Sequence, residues 1–226
     1  MLHSTIEPSA DHHPIWSDDA FSSNGVRSLA AYSPLFREGD PATHFYEVLD
    51  GCVRAFKIFP DGRRQIVSFA FAGDIVGFGH GDHYRFDCDT IAATRLRAIH
   101  KSSLLRAMHD RPDLGEKLLE IAADEVTNMR DLSILLCRKT AVERIASFLL
   151  SMTKRNEAAA SDGRRSLPMC RADIADFLGL TIETVSRTLT KLRALRVIDL
   201  PDRAGFVVRD MHRLQLLAQC DDNTGH

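Results

Sequence analysis

The chain has 226 residues, 44% of them hydrophobic, which suits two modest domains or one large one and excludes wholesale disorder. Its formal net charge of −2 gives no bulk attraction to a polyanion, but from Arg138 to Arg213 fifteen Lys and Arg face nine Asp and Glu, so the C-terminal part is basic and the N-terminal part acidic. No apolar run reaches the length of a membrane span and no secretory signal opens the chain. The five cysteines, Cys52, Cys88, Cys137, Cys170 and Cys220, are odd in number and scattered, as reduced thiols of a cytoplasmic protein are.

Residues 1–28 are polar and broken by Pro8, Pro14 and Gly25, the composition of a flexible arm. From 29 to 112 short β-rich segments alternate with turn signals. Phe45 to Leu49, Val53 to Phe59, Gln65 to Phe71 and Thr90 to Thr94 are the predicted strands. Asp50-Gly51, Pro60-Asp-Gly62 and Ala72-Gly-Asp74 punctuate them, the second as a hairpin. That pattern predicts an antiparallel roll.

At Asp113 the period becomes helical, and 113–137 forms one long helix. Leu114, Leu118, Ala122, Glu125, Met129, Leu132 and Leu136 recur in steps of three and four, an a/d seam with one polar member. Two readings stand: a helix packed on its own domain, or the seam of a parallel dimer. Residues 138–220 make the last domain. Ala141 to Thr153 is an amphipathic helix with Ile145, Phe148, Leu149 and Met152 inward, and Asn156 to Ser166 is a polar loop.

Cys170 to Leu192 reads as two short helices around a tight turn. Ile174, Ala175 and Leu178 line the inner side of the first; Val185, Leu189 and Leu192 line that of the second. Gly179 supplies the left-handed cap and Thr181 the next N-cap. This is a helix-turn-helix, whose second helix enters the DNA major groove by its N-terminal residues. Val197 to Leu200 and Phe206 to Arg209, joined through Pro201 to Gly205, add a β-hairpin and make the motif a winged helix. Asp210 to Ala218 closes the chain as a short helix.

Four side chains face outward at the start of the second helix. The Arg187 fork matches O6 and N7 of guanine; Glu183 accepts from cytosine N4 and steadies Arg187 one turn on. Ser186 bonds a base edge or a phosphate, and Ile182 meets a thymine methyl. Arg171, Thr181, Thr184, Thr188 and Lys191 are the expected phosphate contacts, which position without specifying. Cys170 opens the first helix beside Arg171. It is either a redox-sensitive thiol, since a helix N-terminus and a cation both favour thiolate, or a small residue filling a cap.

The segment from Thr181 to Arg187, Thr-Ile-Glu-Thr-Val-Ser-Arg, resembles the recognition helix of Crp/Fnr transcription regulators, in the Glu-x-x-Ser-Arg form of their Fnr and FixK-type members. The likeness runs from Leu29 to Leu217. It includes Gly39-Asp-Pro-Ala42, Gly51-Cys-Val-Arg54, Gly73-Asp-Ile-Val-Gly-Phe78 and Ala141-Val-Glu-Arg-Ile-Ala-Ser-Phe-Leu149, and is closest to the FixK type. It implies an α+β protein: an N-terminal antiparallel β-roll of the cyclic-nucleotide-binding kind, a long dimerisation helix, and a C-terminal winged helix-turn-helix. It further implies a homodimer on double-stranded DNA that reads a palindrome like TTGAT-N4-ATCAA. The role implied is activation, with RNA polymerase as partner, of low-oxygen genes of the nitrogen-fixation type.

The same likeness implies no cofactor and no small effector. Iron–sulfur sensing in this family needs cysteines clustered near the N-terminus, and none precedes Cys52. Cyclic-nucleotide sensing uses a Gly-Glu opening and an Arg-Ser pair; here Gly77 is followed by Phe78, and no Arg-Ser pair follows Arg85. His12, His13, His44, His80 and His83 lack the spacing of a metal site. The alternatives are a Crp-like regulator with an unidentified ligand in the roll, a thiol-dependent enzyme, and a helix-turn-helix that docks protein. The enzyme is disfavoured because no nucleophile–base–orienter set is visible.

Overall fold

The computed structural model describes residues 25–78, 81–155 and 163–219. They belong to two compact units divided within one long helix, after Val126.

The N-terminal unit is built on eight strands: β1 (Val26–Leu29), β2 (Pro34–Phe36), β3 (His44–Asp50), β4 (Cys52–Ile58), β5 (Arg64–Phe71), β6 (Ile75–Val76), β7 (Asp87–Thr90) and β8 (Thr94–His100). They form two antiparallel sheets, in the orders β1-β8-β3-β6 and β2-β7-β4-β5. Alternation sends Tyr46, Val48, Leu96 and Ala98 of the first sheet against Phe36, Val53, Ala70 and Cys88 of the second, and this shared layer is the core of the roll. The β3–β4 turn depends on Gly51. Its φ is +93°, and a Cβ there would sit 2.5 Å from Thr94 Oγ1.

Behind the first sheet lie α1 (Lys101–Asp110) and the start of α2 (Pro112–Arg138). Ile75 and Ile99 of the sheet, Leu104 of α1 and Leu114 of α2 form a second buried cluster, flanked by Phe45, Phe78, Leu118 and Ile121.

The predicted hairpin at residues 60–62 joins β4 to β5, and Gly62 N–H donates to Phe59 O at 2.9 Å. Three expectations need correction. The arm predicted for 1–28 does not extend to residue 28, because Val26, Arg27 and Ser28 pair with Arg97, Leu96 and Arg95 of β8; residues 1–24 lie outside those described. The strand predicted from Thr90 to Thr94 is a turn between two strands. Thr90 ends β7 in one sheet and Thr94 starts β8 in the other, and Thr94 Oγ1 donates to Ala92 O across the turn at 2.8 Å. Helix α1 lies within the segment expected to be all β, started by His100, whose Nδ1 accepts from the Ser102 amide at 3.2 Å.

Helix α2 spans the predicted long helix, but its seam divides. Leu114 is buried and Leu118 packed against the protein's own sheet. The exposed large apolar residues are Leu119, Val126, Met129 and Ile134, at 71, 45, 50 and 56%, and the first three share one stripe. Leu119, Val126 and Met129, with the half-buried Ala122, repeat in steps of three and four, so the open stripe starts one position beyond Leu118 and keeps Ala122 and Met129 of the predicted seam. Glu125, Leu132 and Leu136 are half-buried. One helix serves two surfaces, and heptad spacing alone does not say where one gives way to the other.

The C-terminal unit contains the end of α2, then α3 (Ala141–Arg155), β9 (Arg164–Ser166), α4 (Arg171–Leu178), α5 (Ile182–Ala194), β10 (Ile198–Asp199), β11 (Gly205–Val208) and α6 (Met211–Ala218). Ile145 and Leu149 of α3, Leu178 of α4, Leu192 of α5, Phe206 of β11 and Leu214 of α6 are almost wholly buried. The predicted hairpin is the β10–β11 pair. The segment expected to be a polar loop to Ser166 instead ends in β9, which pairs with β11 through Phe206↔Arg165. Arg164 and Arg165 gave β9 no alternating apolar signal; Phe206 holds the sheet on the core. Among the described residues no helix is long and apolar enough to cross a membrane.

Candidate nucleic-acid interface

Helix α4 begins at Cys170, in extended conformation (φ −76°, ψ 170°). The carboxylate of Asp173, 1% exposed, accepts from the Cys170 amide at 3.2 Å and from its thiol at 3.1 Å. The helix ends on Gly179 with φ 62° and ψ 42°, and the Leu180 amide returns to Ala175 O at 3.0 Å. Thr181 then caps α5, its Oγ1 accepting from the Thr184 amide at 3.2 Å. Ile174, Ala175 and Leu178 of α4 are buried, as are Val185, Leu189 and Leu192 of α5. Both caps and both inner faces match the sequence reading.

The expected base-reading residues share the open face of α5. Ile182 is 48% exposed, and Glu183, Ser186 and Arg187 are exposed. Glu183 is held below the usual carboxylate range, first by its own backbone N–H, then by the Thr181 hydroxyl, with Arg187 adding attraction. It is therefore an acceptor at neutral pH. Lys191 is exposed on the same helix, while Thr184 is half-buried and shares its hydroxyl with Thr181 at 3.1 Å.

Thr188 does not fit its expected role. It is 7% exposed, because it follows Val185 by three residues and precedes Leu192 by four, which puts it on the inner stripe. Arg171, at the first position of α4, is half-buried, and burial lowers its pKa against the opposing effect of Cys170. Its Nη1 is enclosed and makes no hydrogen bond with the described residues. Pro168, Met169, Cys170, Arg171, Arg203 and Ala204 border one hollow, so the wing tip and the start of α4 stand side by side. Arg203 is exposed there, and the sequence pointed to it only through the basic excess of the domain.

Cys170 is exposed, Cys52 and Cys88 are buried, and Cys137 is exposed on α2. Burial pushes the Cys88 thiol far up, as expected of a core cysteine. Cys220, His12, His13 and His80 lie outside the described residues. Among the described residues no three His, Cys, Asp or Glu side chains are grouped to hold a metal ion.

Residues 143–217 match a Crp-like helix-turn-helix domain, and residues 26–111 match a cyclic nucleotide-binding domain. The nitrogen fixation regulation protein FixK of Bradyrhizobium diazoefficiens is 43% identical over 189 residues, which are 81% of this chain and 78% of that protein. The transcriptional activatory protein AadR of Rhodopseudomonas palustris is 40% identical over 188 residues, 81% of this chain and 77% of that protein. This chain belongs to the Crp/Fnr family of transcription regulators. The solved structure of FixK2 from Bradyrhizobium japonicum superposes with a TM-score of 0.81 at 37% identity, covering 86% of this chain and 97% of that one. As a Crp/Fnr member the chain is a DNA-binding regulator, and the rival reading as a thiol-dependent enzyme falls away.

In this Crp/Fnr protein the segment without the cyclic-nucleotide residues places Tyr84 in the core of the roll. Tyr84, 5% exposed, stacks on Phe36 with ring centroids 3.8 Å apart, and its hydroxyl donates to His44 O at 2.7 Å. Burial raises its pKa strongly, so it stays a neutral phenol.

Proposed function

We propose that this protein is a cytoplasmic homodimeric activator of low-oxygen genes that binds an inverted repeat like TTGAT-N4-ATCAA and engages RNA polymerase. The observation that carries the reading is the open face of α5, where Ile182, Glu183, Ser186 and Arg187 stand together above a buried inner stripe. Two such helices about 34 Å apart meet successive turns of the major groove. Arg171, Thr181, Thr184 and Lys191 hold phosphates around them, and Arg203 of the wing joins them. Thr188 is removed from that set by its burial. FixK of Bradyrhizobium diazoefficiens is named for nitrogen fixation regulation, which supports the low-oxygen role.

The stripe of exposed Leu119, Val126 and Met129, with half-buried Ala122 between them, supports pairing of α2 with its symmetry mate. The packed interior, with Tyr84 against Phe36 and Tyr46, supports action without a small effector. The boundaries we assign are an arm ahead of Val26, the roll with α1, the dimerisation helix α2, and the winged helix after Arg138.

Cys170 is the regulatory thiol in this reading. Two peroxide molecules, each transferring one oxygen and leaving as water, convert it to a sulfinate. That anion would compete with DNA phosphate for Arg171, and Asp173, 3.1 Å from the sulfur, would repel it outward.

The deciding experiment is equilibrium titration of the palindrome and a scrambled duplex across a salt series, with sedimentation of the free protein. A dimer that favours the palindrome supports the proposal. Equal affinity for both duplexes, or a monomer at every concentration, overturns it.

A further inference from the structure

The joint between α2 and α3 consists of Lys139 and Thr140, and four helix ends converge on it. The Arg144 guanidinium donates through Nε to Lys139 O at 2.9 Å and through Nη2 to Leu136 O at 2.8 Å, both at the C-terminal end of α2. Its Nη1 donates to Leu178 O at 2.9 Å and Gly179 O at 3.4 Å, at the end of α4. The last carbonyls of a helix have no partner within it and carry partial negative charge, so one planar cation joins two helix ends and satisfies both.

The other side of the joint is tied as well. Lys139 Nζ donates to Ser147 Oγ at 2.8 Å and to Ala218 O, at the end of α6, at 2.6 Å. Thr140 and Glu143 cap α3 reciprocally, the Thr140 amide donating to Glu143 Oε2 at 2.7 Å. Residues 179–181 lead from the Arg144 contact straight into α5.

We propose that Arg144 is the positioning residue that fixes the angle between the dimerisation helix and the recognition helix, and so sets the half-site spacing the dimer accepts. The inference rests on the palindromic reading above. A lysine at 144 retains the cation but not the fork, so it serves one helix end and releases the other.

The test uses the full-length protein and its Arg144→Lys variant on four duplexes: the palindrome, the palindrome with its spacer shortened or lengthened by one base pair, and a single half-site. One base pair displaces a half-site by about 3.4 Å and about 35°. The wild type is expected to lose about tenfold or more in affinity on either altered spacer, as paired sites do when geometry prevents joint engagement. Arg144→Lys is expected to keep half-site affinity within about twofold while its spacer preference falls to about threefold or less. Full spacer preference in the variant overturns the proposal. So does a wild type that binds the half-site but tolerates all three spacers, an outcome independent of how the variant folds. A wild type that binds no duplex refutes the palindromic reading, and the joint's role with it.

Discussion

Replacing Arg187 with Ala should separate sequence reading from simple attraction to DNA. Arg187 is exposed on α5 and its removal opens no cavity, so folding stability should change by no more than about 0.5 kcal/mol. A bidentate contact to guanine is worth about 1–3 kcal/mol of discrimination. Two protomers on a symmetric site double this to about 2–6 kcal/mol, or about 30- to 20,000-fold at about 1.4 kcal/mol per decade. The phosphate contacts remain, so residual binding should keep its salt slope of about −0.9 per phosphate neutralised. The assay is fluorescence anisotropy on the palindrome and its scrambled counterpart at several salt concentrations, with thermal unfolding as a control for folding. Undiminished discrimination would refute the base-reading role. An equal loss on both duplexes with a shallower salt slope would make Arg187 a phosphate contact.

Val126→Lys, placing a charge in the middle of the exposed α2 stripe, should weaken dimerisation by about tenfold or more in sedimentation; an unchanged dimer refutes the seam assigned here. Glu47 is 2% exposed, and burial raises its pKa against the opposing pull of Arg97, whose Nη1 lies 3.0 Å away. The folded chain thus holds that proton more tightly than the unfolded chain. This contribution is full below the ordinary glutamate pKa and is lost as pH rises through the higher folded value. Glu47→Gln should therefore gain in Tm relative to wild type from about pH 4 to about pH 7; a relative fall over that range would contradict the sign. Peroxide should abolish palindrome binding by the wild type and spare Cys170→Ser. Loss in both proteins assigns the effect to another residue, and retention in both leaves Cys170 a packed cap.

The recognition motif was legible in the sequence because it is local. The Gly179 cap, the Thr181 cap and the two apolar stripes lie within one short segment, and each follows from the chain's own dihedral and periodic constraints. The same periodicity places Thr188 of α5 on the inner stripe with Val185 and Leu192, although its hydroxyl is of the type that contacts phosphate.

Tertiary structure alone decided the features that depend on distant partners. β9 is a strand because β11 pairs with it, and residues 91–93 are a turn because β7 pairs with β4 in one sheet and β8 with β3 in the other. The start of α2 is buried because the second face of a sheet needed a cover, which moved the open stripe onto Leu119, Val126 and Met129. Arg144 carried no sequence signal beyond its place in a familiar motif. Its acceptors are carbonyls from residues before and after it in the chain, and only folding brings Leu136 and Leu178 to one guanidinium. Composition and spacing determine what a segment tends to form by itself; the partner that satisfies its remaining faces and hydrogen bonds is supplied by the fold.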